Sequence, residues 1–204
     1  MKIIYSFVIF GFLTIFQESK SQEVELVQTN INSYIEQNNL EIGLQKVDDA
    51  IKKHPEESIM YFYKAILFSN QKKWVEAIEN INRAIEKAPD HEKYYFIKSI
   101  IYASQNNYET ALVEIENALA ILPNYKEFVI YKFSYLLHQK KYDQAYQLIK
   151  SLDECYPKDA YIQGSLALIT HLLHKKESSL EHIQRAFSSN NSSPFVNTLY
   201  GQIK

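Results

Sequence analysis

Three histidines near the C-terminal end come closest to a spacing that could do chemistry. His171 and His174 are three residues apart and share one face of a helix, and His182 follows with Glu181 beside it. Such side chains ligate zinc when a third ligand converges on the first two. A third histidine or a carboxylate would have to converge on that face, and Glu181 is only one possibility. We therefore predict solvent-facing histidines, no bound metal and no cofactor.

Motifs for other chemistry are missing from the sequence. Cys155 is the only cysteine, so it has no partner for an internal disulfide or a metal cluster. We expect its thiol to be partly buried at a helix end rather than crosslinked to a second chain. Four glycines leave no phosphate-binding loop, and neither HExxH nor GxSxG occurs. The sequence therefore predicts a protein that is not an enzyme.

The elements that carry these residues follow a repeat of 34 residues. Prolines recur at this interval, and so does an apolar column that consists of Val47, Ile81, Ile115, Ile149 and Ile183. Within a repeat the apolar spacing is helical, as in Tyr61, Ala65 and Phe68 at i, i+4 and i+7. A polar turn divides each repeat, and the proline ends its second helix. The prolines are Pro55, Pro89, Pro123 and Pro157.

This periodicity predicts an all-α fold of five helix pairs between residues 22 and 193. The pairs cover 24–57, 58–91, 92–125, 126–159 and 160–193. Each pair leaves an apolar face that only a neighbouring pair can bury, so the pairs must stack. After a polar loop, Pro194 begins a last amphipathic stretch, and we expect 194–204 to form a short C-terminal closing helix.

Residues 1–21 have the pattern of a secretory signal peptide. Lys2 precedes the apolar run from Ile3 to Phe16, and the small residues Ser19 and Ser21 precede the expected cleavage point. As a helix this run spans about 21 Å, less than the hydrocarbon core of a bilayer. We expect an exported, periplasmic or secreted protein with no stable membrane insertion after cleavage, in a bacterial envelope. The formal charge of −2 gives no basic surface for nucleic acid.

The repeat resembles the tetratricopeptide repeat family. That family has an aromatic residue at repeat position 4, a small residue at 8, an aromatic at 17, alanines at 20 and 27, and proline at 32. The second repeat matches with Tyr61, Ala65, Trp74, Ala77, Ala84 and Pro89, and the third with Tyr95, Ser99, Tyr108, Ala111, Ala118 and Pro123. The first repeat has Gly43 where alanine is usual. The resemblance covers 24–193 and implies a right-handed α-solenoid of five stacked helix-turn-helix repeats.

The resemblance also implies a binding surface. In the family the first helices of successive repeats line a concave groove, with contacts mainly from repeat positions 2, 5, 6, 9, 12 and 13. In this sequence those positions hold Ile59, Phe62, Ile66 and Asn70, then Lys93, Phe96 and Ile100, then Ile130, Tyr131, Ser134 and His138, and Tyr161 in the fifth repeat. Only Asn32 suits the grip on a C-terminal carboxylate that some family members use. An amphipathic helix or an extended apolar segment fits better.

Two functions remain open at this point. The first is a non-catalytic scaffold or adaptor that binds a protein or peptide partner in the groove. The second is a structural component of an envelope assembly, a homo-oligomer whose groove or terminal repeats pair with another copy. Some groove side chains could also serve only to fill the space between first helices. Lys64, Lys98 and Lys132 recur at repeat position 7, and we expect their stems to lie over neighbouring helices with the charged heads in water, rather than to form a basic ladder.

Overall fold

A computed structural model describes residues 30–188 and Gly201. These residues form helices and no strand, which confirms the predicted all-α class. The predicted signal peptide lies outside them, as does the predicted closing helix apart from Gly201, which is helical. No helix in the described part is both long and apolar enough to cross a membrane. We name residues 30–36 α1, followed by α2 (Leu40–Lys53), α3 (Ser58–Asn70), α4 (Trp74–Lys87), α5 (Glu92–Ser104), α6 (Tyr108–Ile121), α7 (Lys126–His138), α8 (Tyr142–Cys155), α9 (Ala160–Leu172) and α10 (Lys176–Ser188).

The helices recur at the interval of the sequence repeat. First helices begin at residues 58, 92, 126 and 160, and second helices at 40, 74, 108, 142 and 176. The residue that caps α2, α4, α6 or α8 at its C-terminal end directly precedes a repeat proline. A proline ring disfavours helical backbone in the residue before it, so the helix stops there.

Each first helix ends in a turn with one residue at positive φ. These residues are Asn38, Lys72, Asn106, Lys140 and His174, with φ between 56° and 59°. In the second repeat the N–H of Lys73 donates to the carbonyl of Phe68, and that of Lys72 to Ser69, each at 2.9 Å. This pair of bonds is a Schellman motif, which satisfies the last carbonyls of the helix. The polar turn of each repeat therefore ends one helix and starts the next without glycine.

The structure divides into two compact units, Met1–Ile101 and Tyr102–Lys204. In the first unit α3 packs against α2 and α4. Val47 and Ile81 are fully buried there, as are the small residues Ala65 and Ala77. Gly43 occupies the alanine position of the first repeat. A Cβ at Gly43 would lie 3.1 Å from the Leu67 side chain, so the helices approach closely there.

In the second unit α6 to α10 pack in succession. Ile115, Ile149 and Ile183 are fully buried, like Val47 and Ile81 in the first unit. The apolar column of the sequence repeat therefore occupies equivalent buried positions, as predicted. Completely burying one such side chain is worth roughly 1.5–3 kcal/mol, which makes this column a main source of stability.

Gln163 replaces the aromatic residue of repeat position 4 in the fifth repeat. In the second repeat Tyr61 holds this position, and its hydroxyl donates to the carbonyl of Pro55 at 3.1 Å. Gln163 is 1% exposed, and its Nε2 donates to the carbonyl of Pro157, also at 3.1 Å. The fifth repeat therefore keeps the bond between its first helix and the preceding proline with a different side chain.

Candidate protein-binding pocket

The first unit contains an open pocket of about 620 Å³ between α1, α3 and α5. Ile31 and Ile35 of α1 line it at i and i+4, and Ile59, Phe62 and Ile66 of α3 at i, i+3 and i+7. Residues at these spacings share one face of a helix, so both helices present apolar faces to the pocket. Ile35, Ile59 and Ile66 are half-buried, which leaves aliphatic surface in its walls.

Aromatic rings support the α3 wall. The Phe62 ring centroid lies 5.2 Å from that of Tyr94 in α5 and 5.3 Å from that of Tyr63. Phe62 is only 8% exposed, so it mainly fills the space between α3 and α5. This is the alternative that the sequence left open for the groove residues, and it describes Phe62 better than a contact surface does.

One edge of the pocket is polar. The hydroxyl of Tyr94 lies 2.9 Å from that of Ser58, and the His91 ring stacks on Tyr94 at 4.2 Å between centroids. Burial raises the pKa of Tyr94; the Ser58 hydrogen bond opposes this rise, and the Glu57 and Glu92 carboxylates add to it. Tyr94 therefore keeps its proton at neutral pH, but it is only 1% exposed and its hydroxyl is bonded to Ser58, so the half-buried Ser58 is the accessible hydroxyl of this edge.

The remaining predicted contact residues of the first unit lie at or beyond the margin of the pocket. Lys93 is exposed and lines it, whereas Phe96 and Ile100 are half-buried on α5 and do not. Asn70 is exposed at the end of α3, and its Nδ2 donates to the carbonyl of Ile66 at 2.9 Å.

Six lining residues were not predicted from the sequence: Ile31, Ile35, Ser58, Tyr63, His91 and Tyr94. Ile35 stands at repeat position 12, one of the family's contact positions, and could have been found from the register. The contact between Ser58 and Tyr94 joins residues 36 apart and has no local signal.

The second unit presents aromatic rings at the corresponding repeat positions. Tyr131 and Tyr161 are each 40% exposed, and Ile130 and Ser134 are half-buried. Tyr131 meets Tyr135 edge-on, with 6.2 Å between centroids. The exposed His138 stacks on Tyr108 at 4.3 Å.

The lysines of repeat position 7 do not form a free basic ladder. Lys64 pairs with Asp48 at 2.6 Å in the first unit, and Lys132 pairs with Glu116 at 3.1 Å in the second. The side chains of Lys64 and Lys132 are 21% and 24% exposed, so their stems do lie over neighbouring helices. Their heads, however, are held by carboxylates rather than only by water, which corrects the expectation from sequence.

Two expectations about reactive side chains were wrong. His171 and His174 are exposed as predicted, but His182 is half-buried, and its Nδ1 lies 3.0 Å from Oε1 of Gln163. Cys155 is exposed at the end of α8, because it stands at the repeat position that Lys53 and Lys87 occupy in α2 and α4. Among the described residues no three histidine, cysteine or acidic side chains are grouped to hold a metal ion.

Sequence comparison agrees with this architecture. Profiles of the tetratricopeptide repeat match residues 29–92, 70–127 and 102–169. The chain therefore belongs to the tetratricopeptide repeat family, whose members are in general non-catalytic and bind proteins or peptides. No curated protein sequence matches this chain.

Solved structures of other proteins show the same fold at low sequence identity. PilF of Pseudomonas aeruginosa has a TM-score of 0.75 at 12% identity, over 91% of this chain and 84% of its own. MamA of Desulfovibrio magneticus RS-1 has 0.70 at 12%, over 84% and 97%. YrrB, described as a repeat protein of this family with an unusual peptide-binding site, has 0.66 at 15%, over 84% and 88%.

Proposed function

We propose that this chain is an exported, non-catalytic scaffold that holds an apolar or amphipathic segment of a partner protein in the pocket of the first unit. The observation that carries the proposal is the pair Ile59 and Ile66, which leave aliphatic surface in the walls of an open cavity. A volume of about 620 Å³ is within the range of ligand-binding clefts.

The chemistry of the pocket defines the partner segment. Aliphatic walls favour large apolar side chains, because burying them releases water from both surfaces. The half-buried Ser58 hydroxyl at the edge can bond to the backbone of the segment. The carboxylate grip stays disfavoured: Asn32, which suits it, does line the pocket, but Lys93 is the only lysine or arginine lining the pocket among the described residues.

Family membership and sequence support the other parts of the proposal. YrrB shares the fold and has a peptide-binding site. The absence of catalytic motifs from the sequence supports a non-catalytic role. The proposed export rests on residues 1–21 alone, which combine Lys2, a short apolar run and small residues before the cleavage point.

The pocket can be tested by selecting peptides from a random library for binding to residues 22–204 of the chain. We expect large apolar residues in the selected peptides, and Ile59→Asp or Ile66→Asp should weaken their binding about tenfold or more. Ile42→Asp is the matched control, because Ile42 is 50% exposed on α2 and does not line the pocket. Equal losses in all three variants would contradict the proposal.

The same preparation tests the alternative of self-association. Sedimentation gives the mass of the chain in solution. A stable dimer that Ile66→Asp dissociates would favour the homo-oligomer over the scaffold. A monomer that binds the selected peptides is the expected result.

A further inference from the structure

One second helix is apolar where the others are polar. Repeat position 22 faces away from the buried column, and in the third repeat it holds Val113, which is 54% exposed. The equivalent residues of the other repeats are Gln45, Glu79, Gln147 and Glu181. A single exposed valine needs no explanation, but here it borders a recess.

Val113 lies at the edge of a trough of about 750 Å³ between α6, α7 and α8 in the second unit. Leu112 and Leu148 line its two sides, and Leu136 of α7, which is 3% exposed, forms its floor. The trough is therefore apolar at its base. Second helices provide most of its walls, whereas the pocket of the first unit is lined by first helices.

The charges around the trough are mainly acidic. α6 carries three glutamates and neither lysine nor arginine, whereas each of α2, α4, α8 and α10 carries at least one basic residue. Glu109 and Asp143 line the trough, and neither forms an ion pair within the described part of the chain. Lys132 pairs with Glu116, so among the described residues that line the trough Glu109, Asp143 and Lys141 are left without an ion pair, two acidic residues against one basic.

We propose that this trough is a second docking site, and that it takes a short segment of a partner protein with one or two large aliphatic side chains flanked by lysine or arginine. The aliphatic side chains would cover Val113 and Leu148, and the basic residues would face Glu109 and Asp143. Opposite charges at the rim steer such a segment and fix its register. An anionic membrane surface would be repelled by the same carboxylates.

The dimensions limit the segment. The trough follows α6 from Glu109 to Glu116, which at 1.5 Å per residue is about 10 Å, or two helical turns. A helix of the partner would therefore place side chains at i and i+3 or i+4 in the trough and leave the rest of its length outside.

A labelled model helix of leucine and lysine, compared with one of leucine and glutamate, tests the site by fluorescence anisotropy. We expect the lysine peptide to bind more tightly, and Val113→Gln to weaken its binding about tenfold. Glutamine is tolerated here, because Gln45 and Gln147 hold the same repeat position. Val75→Gln is the matched control: Val75 is 76% exposed on α4, outside the trough, and this change should leave affinity unaltered.

A second set of variants measures how much the carboxylates of the trough contribute to binding, apart from its apolar side chains. Glu109→Gln combined with Asp143→Asn should weaken binding several-fold and flatten its dependence on salt. Ile66→Asp should have no effect, which keeps this site distinguishable from the pocket of the first unit. Three results would overturn the proposal: equal binding of the two peptides, equal loss with Val75→Gln, or a homodimer that Val113→Gln dissociates.

Discussion

The first helices of the two units use the same repeat positions to present different surfaces. In the first unit, repeat positions 5 and 9 of α3 hold Phe62 and Ile66, beside a pocket with aliphatic walls. In the second unit the same positions of α7 hold Ile130 and Ser134, beside the exposed ring of Tyr131. The two faces therefore suit different contacts, although one sequence pattern specifies both.

The difference extends to single repeat positions, because position 6 is buried in α3, where Tyr63 is 7% exposed, and accessible in α7, where Tyr131 is 40% exposed. Phe62 turns inward because Tyr94 of α5 and its neighbour Tyr63 offer rings to pack against. Tyr131 meets Tyr135 edge-on and remains 40% exposed. The contact positions of the family are therefore of two kinds in this chain. Some, like Phe62, hold buried side chains that support the binding surface, and others, like Tyr131, hold exposed side chains that form it.

Replacing Phe62 and Tyr131 with alanine should distinguish a supporting side chain from an exposed one, and it should give the largest change in stability. We expect Phe62→Ala to lower the free energy of unfolding of the first unit by about 3–5 kcal/mol, because it leaves a cavity. Tyr131→Ala should cost the second unit less than about 1 kcal/mol, since its ring is partly solvated. Urea denaturation followed by Trp74 fluorescence reports the first unit, because Trp74 is the only tryptophan. Amide exchange in α7 reports the second, and equal costs would remove the distinction.

Helix capping gives a second contrast, at repeat position 34. Asp159 accepts from the N–H groups of Tyr161 at 2.9 Å and Ile162 at 3.1 Å, and it pairs with Lys126. Glu57 caps α3 at the same repeat position without a side-chain capping bond. We expect Asp159→Ala to destabilise α9 by about 1–2 kcal/mol, and Glu57→Ala to cost α3 less than about 0.5 kcal/mol.

Amide exchange at the first turns of α9 and α3 measures both changes. Asp159→Asn is the control, because it keeps a capping oxygen but loses the charge that faces Lys126. Burial alone would raise the pKa of Asp159, but Lys126 and the two N–H groups hold it below its ordinary value. The stabilisation that the ionised Asp159 gives is therefore complete above the ordinary carboxyl pKa. It is lost as the pH falls through the lowered pKa of Asp159 in the folded chain. Unchanged exchange in Asp159→Ala would show that the cap is dispensable.

Much of the fold could be predicted from the sequence because its causes are local or periodic. The prolines stop helices through their own rings, and the turn residues at positive φ recur with the same period. Ile81 and Ile149 are fully buried because each repeat must cover the apolar face of the next. These features need no knowledge of distant contacts.

The finer properties of the site depend on pairings that the repeat does not encode. The support of Phe62 by Tyr94, and the Ser58 hydroxyl beside Tyr94, join residues of different repeats. An apolar site beside α6 is partly predictable, since Val113 breaks a polar column that is visible in the sequence. The shape of the trough could not be predicted from the sequence, because this shape depends on how α6, α7 and α8 pack.

A third contrast, with the smallest expected effect, concerns pH at repeat position 23. Asn80 holds this position in the second repeat and does not titrate, whereas the fifth repeat has His182, which is hydrogen-bonded to Gln163. Burial and then Arg185 lower the pKa of His182, against the attraction of Glu181 and Asp153. The unfolded chain therefore binds more protons than the folded one as the pH falls through about 6.5, and the second unit loses stability in that window.

Asp153 should partly reverse this loss at lower pH. Burial raises the pKa of Asp153, although His182, Arg185 and Gln163 oppose the rise. Between the raised pKa of Asp153 and the ordinary carboxyl pKa, the folded state binds a proton that the unfolded chain does not. The free energy of unfolding therefore recovers as the pH falls through this window. Amide exchange in α9 and α10 across pH should show the first loss, and His182→Gln, which keeps a donor to Gln163 but cannot titrate, should abolish it. If His182→Gln lost stability over the same pH range, a titratable group other than His182 would be responsible, and the contrast with Asn80 would not hold.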